Sequence, residues 1–500
     1  MTLEAIRMGK RSLVYLAGDL ATRLVAFVLV PLYTHFLSPA DYGVLGVLAS
    51  VTAVLSAISL MGLPGTATRY YFEFPDTDRR QSFLRTVWMC AVAAAVVVGL
   101  LSFTAGRPVA ALLLPGVPFR PLVLLTVWTA ALAGLPSIPL AIYRAAERPA
   151  AYVGLSVSTF VTTMLLMIAL VAGARLGVYG AVLAQFLSTM VMAGVAAWLM
   201  WPTMRATLRA GDVRRAVTFG LPLIPHTLAT WALNLSDRLI LQRYVPLSEI
   251  GIYSLGYQFG MIMSMLGAAT NNVWTPFFMQ RALDRERAPA LSAAATRFVA
   301  AAAWLTLGVA ILSPDAIALM ANARYAAATR IAPIIAVGYG LLMLYFLPTN
   351  VLFAANRTAA LAVCSVGAAA ANVALNIWLV PRWGIAAAAF NTAIAFAVEL
   401  MAVHVVARKV TPFQYEWRRI TVILLSAAAL AGAGLAIRLE PLAADLALKI
   451  VIALSLPAVL WVLRVPDAEE RLLATQLTTT AGMWWRERRR RGAPPRDPTR

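Results

Sequence analysis

The chain has 500 residues, 61% hydrophobic and 13% charged, about half the charged fraction of a soluble domain. Three histidines and two cysteines leave little from which to build a metal site. The net charge of +20 is of the size that nucleic-acid proteins carry, but its distribution argues for membrane orientation instead.

Apolar runs of about 20 residues recur from end to end, long enough to cross hydrocarbon as helices. Stretches such as CAVAAAVVVGLL (90–101) lack the alternation of a barrel strand. The runs predict about 14 membrane helices, starting near residues 12, 41, 82, 121, 150, 177, 216, 249, 290, 327, 358, 384, 419 and 445. The first run lacks a small-residue cleavage site and carries Asp19 and Arg23, so it reads as a retained helix. Cys90 and Cys364 lie in apolar runs and read as buried thiols.

With a cytoplasmic N-terminus, about 31 of the 42 Lys and Arg fall in inner segments. These include RMGKR (7–11), Arg79 with Arg80, the linker 202–215, RALDRER (281–287) and the tail WWRERRRRGAPPRDPTR (484–500). The basic balance then reflects orientation and contact with anionic lipids, and both termini are expected in the cytoplasm.

Within the first span, Asp19 and Arg23 lie about 10 and 16 Å deep. Their i, i+4 spacing permits mutual pairing, which would serve insertion alone. Alternatively Arg23 faces a wet cavity and binds phosphate while Asp19 orients it. Arg69 and Arg144 lie near inner helix ends, where they either snorkel to head groups or form a phosphate entry gate. In span seven, Pro222 and Pro225 interrupt the backbone ladder as a hinge or a static kink. Nearby His226 either donates to phosphate or packs. Asp237 and Arg238 fall by length near the outer rim, as a rim contact. The span amides Asn234, Asn271, Asn272, Asn372, Asn376 and Asn391 read as interhelical bonds. Glu399 is deep in span twelve, either a cation or proton coupling site or a protonated packed carboxyl; His404 reads as structural.

Three segment pairs recur. LSPADYGVLG (37–46) resembles VPLSEIGIYS (245–254), AAERPAAY (145–152) resembles AANRTAAL (354–361), and RLGVYGAVLA (175–184) resembles RWGIAAAAFN (382–391). Their offsets, 208, 209 and 207 residues, agree within one residue of their middle value. They span six helices, so the two copies enter from the same side. The expected architecture is an all-α polytopic membrane protein with two six-helix bundles related by a pseudo-two-fold along the membrane normal. The expected parts are bundles at 1–201 and 216–410, a basic linker at 202–215, helices 13 and 14 at 411–465, and a cytoplasmic tail at 466–500. Short loops leave no room for a catalytic domain, and no phosphate-binding loop or metal motif appears. Neither an enzyme nor a cofactor is therefore expected.

LSPADYG after span one, GLPLIPHTL (220–228), SDRLIL (236–241) and SEIGIYSLGY (248–257), in this order with the span count, resemble the polysaccharide transporters of the O-antigen flippase type. These belong to the multidrug/oligosaccharidyl-lipid/polysaccharide exporter superfamily. The resemblance implies a central cavity and movement of a polyprenyl-pyrophosphate-linked oligosaccharide from the inner to the outer leaflet of a bacterial cytoplasmic membrane. It also implies partners such as a polysaccharide polymerase and other assembly proteins. Spans thirteen and fourteen favour this branch or the related lipid II flippase over the drug/cation antiporters. Those antiporters and a membrane glycosyltransferase are the rival readings, the first needing an acidic cavity and the second a large outer loop.

Overall fold

The computed structural model describes residues 27–207, 209–221, 223–281, 288–410, 414–467 and 471. Asp19, Arg23 and Pro222 lie outside the described residues. Every regular element among them is helical, because backbone groups in lipid must pair within their own segment.

Helix α1 (Val30–Phe36) leads into α2 (Pro39–Leu60). Their junction is encoded in LSPADYG. The Ser38 side chain accepts from the Asp41 backbone N–H at 3.2 Å, and the Asp41 carboxylate accepts from the Ser38 N–H at 3.0 Å. Pro39 occupies the first turn, where its missing donor costs nothing. The chain then turns through left-handed Met61 and Gly62 into α3 (Leu63–Glu73). Helices α4 (Thr77–Thr104), α5 (Gly106–Leu113), α6 (Leu124–Ala133), α7 (Ser137–Ala145), α8 (Pro149–Met167) and α9 (Gly177–Met200) follow. Phe83, Trp88, Ile138 and Met200 build their core.

After the linker come α10 (Ala210–Gly220), α11 (Leu223–Leu241), α12 (Leu247–Gly260) and α13 (Ile262–Met279). Then come α14 (Ala288–Met320), α15 (Ala332–Ala354), α16 (Thr358–Val410), α17 (Trp417–Ala436) and α18 (Leu442–Val462). Helix α16 is 53 residues long but non-helical at Gly384 (φ 55°, ψ −137°). Its arms fold back on each other. Ser365 donates to Glu399 at 2.7 Å, Asn372 to the Asn391 carbonyl at 3.3 Å, and Asn391 to Asn376 at 3.2 Å. It is therefore a helical hairpin, with arms beginning where spans near 358 and 384 were expected. The amides of Asn372, Asn376 and Asn391 bond between and along its arms.

Among the described residues, ten helical segments, with the α16 hairpin taken as one, are long and apolar enough to cross a membrane by length and composition. The first expected span lies largely outside the described residues and the α16 hairpin holds two of the expected spans, so this measure does not fix the total. Helix α11 falls short because it carries Asn234, Asp237 and Arg238, and α12, at 14 residues, is too short by itself.

The repeat is present in the backbone. Glu147 (φ 51°) and Asn356 (φ 56°) are both left-handed and close the same helix-ending bond, Arg148 N–H to Tyr143 O at 2.9 Å and Arg357 N–H to Leu352 O at 2.8 Å. Gly177 (φ 58°) and Gly384 (φ 55°) are left-handed at matching positions. Where α2 crosses α12, a Cβ on Gly43 would lie 1.8 Å from the Leu247 carbonyl oxygen, and one on Gly251 would lie 1.9 Å from that of Pro39. Gly43 and Gly251 are repeat partners, and so are Pro39 and Leu247. The two contacts are thus one contact seen twice about a pseudo-two-fold axis, and only glycine permits so close an approach.

The chain divides into two compact units, Met1–Leu283 with Ser313–Pro412, and Asp284–Leu312 with Phe413–Arg500. In the first, α2 packs on α12, and α16 packs on α11 and α15. In the second, Trp304 of α14 donates to the Ala453 carbonyl of α18 at 2.9 Å, and Lys449 pairs with Asp445 at 2.6 Å in a buried i, i+4 bridge. Apolar side chains stand exposed on both units, including Leu100 and Leu101 on α4, Val363 on α16, and Val451 and Val462 on α18. Such faces need lipid rather than water. Cys90 and Cys364 are free and half-buried.

Candidate functional site

Below the α2–α12 crossing lies a cavity of about 500 Å³. Each repeat contributes the same stretch of helix to it: Gly46, Ala49 and Ala53 from α2, and their partners Ser254, Tyr257 and Met261 from α12. Thr126 and Thr129 of α6 and Gln185 of α9 add hydroxyl and amide groups. Tyr42 closes one side by donating to Gln258 Oε1 at 2.7 Å, a bond between the two halves. The Ser254 hydroxyl is buried on the wall with no hydrogen-bond partner among the described residues.

One charged residue lines the cavity among the described residues, Arg238 of α11. Its side chain is 6% exposed. Nη1 donates to Asp237 Oδ1 at 2.9 Å and to the Asn234 carbonyl at 3.0 Å. The guanidinium lies 4.2 Å from the Tyr257 ring centre, so the ring face also stabilises the charge. Asp237 accepts from the Tyr253 hydroxyl as well. Tyr339 of α15 donates to Asn234 Oδ1 at 2.7 Å, with its hydroxyl 2.9 Å from that of Tyr257. A connected polar network therefore fixes one face of the guanidinium. Nε and Nη2 make no hydrogen bond among the described residues, which leaves planar donors suited to a phosphate or carboxylate.

The residues singled out in the sequence are distributed differently. Asp237 and Arg238, read by length as a rim contact, are 2% and 5% exposed, and Arg238 borders the cavity. Helix length gives depth along an axis; their burial comes from α2 and α16 packing against α11 and from the rings of Tyr253 and Tyr257 beside Arg238, which length does not report. The adjacent acid and base within the apolar SDRLIL stretch was the available signal. Arg69 is exposed at the end of α3, 3.6 Å from Glu73 and 4.8 Å from the Phe219 ring centre. Arg144 is exposed in the last turn of α7, stacked 4.9 Å from the Tyr152 ring centre. Neither borders the cavity. Glu399 is 4% exposed, bonded to Ser365 within the α16 hairpin and apart from the cavity lining. Pro225 and His226 fall in the first turn of α11, and their side chains are outside the description. Asp19 and Arg23 likewise fall outside it.

A family model described as "Polysaccharide biosynthesis protein" matches residues 8–281. Among solved structures, the chain is similar to a lipid II flippase MurJ in an inward closed conformation, with TM-score 0.73 and 12% identity, covering 91% of this chain and 100% of that one. It is similar to an inward-facing multidrug resistance MATE family transporter of the MOP superfamily, with TM-score 0.62 and 12% identity over 80% and 95% of the two chains. An outward-facing MATE family transporter of that superfamily gives TM-score 0.51 and 13% identity over 82% and 95%. No curated protein sequence matches the chain. At these identities the structures establish a shared fold, and with the family match running over more than half of its length, the chain belongs to the polysaccharide biosynthesis protein family.

Proposed function

We propose that the protein is a flippase that carries a polyprenyl-pyrophosphate-linked oligosaccharide from the inner to the outer leaflet of a bacterial cytoplasmic membrane. Both termini are then cytoplasmic, and the two six-helix halves (1–201 and 216–410) rock about the cavity. The observation that carries this reading is a guanidinium with free donors, the one charged group among the described lining residues, on the wall of a largely apolar chamber that carries a few hydroxyls and amides and lies astride the pseudo-two-fold axis. Arg238 would take the pyrophosphate, the hydroxyls and amides would take sugar, and the polyprenyl tail would remain in lipid. A chamber of about 500 Å³ has the size of a small-molecule site, so a long glycan requires the halves to part. With α2 and α12 both starting on the outer face, their crossing is the outer gate, and the chamber loads from inside. Arg23 with Asp19, His226, and an entry gate of Arg69 and Arg144 extend the same phosphate route, with Pro222 and Pro225 as its hinge. Glu399 is the proposed cation or proton coupling group. An inside-negative potential adds about 2.3 kcal/mol per charge per 100 mV to outward movement of the anionic head group. The cavity lining has no carboxylate among the described residues, which disfavours cationic-drug antiport.

The test is delivery of lipid-linked glycan to the outer leaflet of proteoliposomes. Arg238→Ala is expected to lower the rate about 10- to 100-fold at equal protein level, the worth of one charge-assisted contact, with Arg238→Lys intermediate. An unchanged rate in Arg238→Ala would remove the guanidinium from the substrate path.

A further inference from the structure

Helix α10 carries a second pocket, of about 570 Å³, unconnected with the transport cavity's lining. Gly211, Arg214, Arg215 and Thr218 line it at i, i+3, i+4 and i+7, one face of the helix, with Phe219 beside them at i+8 and Tyr70 contributed by α3. A second face of α10 is fixed to the protein. Asp212 is held by both guanidinium nitrogens of Arg79, Nη2 to Oδ1 at 2.5 Å and Nη1 to Oδ2 at 2.6 Å. Ala216 is fully buried, and a Cβ on Gly220 would lie 2.0 Å from the Met61 carbonyl oxygen. A third face presents Val213 and Leu221, both nearly half exposed. The one acidic side chain of α10 is thus consumed by Arg79. Arg214 and Arg215 are exposed and make no ion pair or hydrogen bond among the described residues. Arg69, 4.8 Å from the Phe219 ring centre, adds a third guanidinium at the rim.

A helix with one face on protein, one basic and one apolar belongs in the membrane interface. Its position beside the ends of two candidate spans, Pro39–Glu73 and Thr77–Thr104, sets the pocket at head-group level. We propose that this pocket binds the phosphate of a resident anionic phospholipid. Arg214 and Arg215 hold the phosphate oxygens, Thr218 donates a hydroxyl, and Val213 and Leu221 lie along the acyl chains. The pocket shares no lining residue with the cavity of Arg238. Occupied, it ties the linker to both the leaflet and α3.

The full-length protein in phosphatidylcholine nanodiscs, with and without phosphatidylglycerol, tests this by native mass spectrometry of retained lipid and by lipid titration. The wild type should retain phosphatidylglycerol selectively. Arg214→Gln with Arg215→Gln should weaken that binding about 30-fold, the loss of two interfacial arginines, while phosphatidylcholine retention and thermal unfolding stay unchanged. Charge reversal at both positions should abolish it. Undiminished phosphatidylglycerol binding in either variant overturns the proposal. So does displacement of the lipid by inorganic pyrophosphate at equal concentration, because the pocket would then be a soluble-phosphate or substrate head-group site.

Discussion

Arg238 sits where a charge is expensive, and its neighbours explain how it stays. Burying a guanidinium and a carboxylate together is tolerable because each partly satisfies the other, with the Asn234 carbonyl accepting from Nη1 and the Tyr253 hydroxyl donating to the carboxylate, while Nε and Nη2 stay open toward the cavity. Breaking such a pair leaves one bare charge. Asp237→Ala should therefore lower stability by about 3–5 kcal/mol, read as thermal unfolding in detergent. Asp237→Asn combined with Arg238→Gln, which removes both charges, should cost clearly less. Equal losses would show that the pair is incidental to folding. Glu399 has a simpler setting. Glu399→Gln keeps an acceptor for Ser365, so the fold should survive within about 1 kcal/mol. The proposed coupling role predicts that transport then no longer responds to an imposed ion gradient but still responds to membrane potential; a retained gradient response would exclude Glu399. Residue chemistry was legible in the sequence only in part. That intramembrane charges and amides need partners follows from lipid alone. Which charge meets the cavity depends on which helices pack around it, and length alone set Arg238 at the rim.

Helix ends carry the repeat more faithfully than helix bodies do. Bodies are interchangeable Ala, Val and Leu, whereas turns require particular backbone conformations. Gly384 turns the α16 hairpin with φ 55° and ψ −137°, a region closed to side chains. Gly384→Ala should cost about 1–3 kcal/mol, measured by thermal unfolding, and an unchanged unfolding temperature would mean that the hairpin tolerates another turn. The motifs read as repeats at 43 and 251, 147 and 356, and 177 and 384 are the positions where the backbone is closest or left-handed. That is why they could be recognised against an Ala-rich background. Span number was less legible. Polar Asn234, Asp237 and Arg238 dilute the hydropathy of α11, and the break at Met261 divides one expected span into α12 and α13.

At the scale of the molecule, the all-helical membrane architecture and its internal pseudo-symmetry followed from composition and from three short repeats. The cavity did not, since it forms from about two turns of each half meeting at an axis that no local pattern reveals. The central claim is that the two halves must separate at the α2–α12 crossing for transport. A Cβ on Gly46 would lie 3.2 Å from that of Ser254, a few tenths of an ångström under the usual disulfide range. The direct measurement is glycan delivery by Gly46→Cys with Ser254→Cys, in a background lacking Cys90 and Cys364. Oxidation should cross-link the halves and stop delivery, and reduction should restore it. A cross-linked protein that still delivers glycan at the reduced rate would contradict the account.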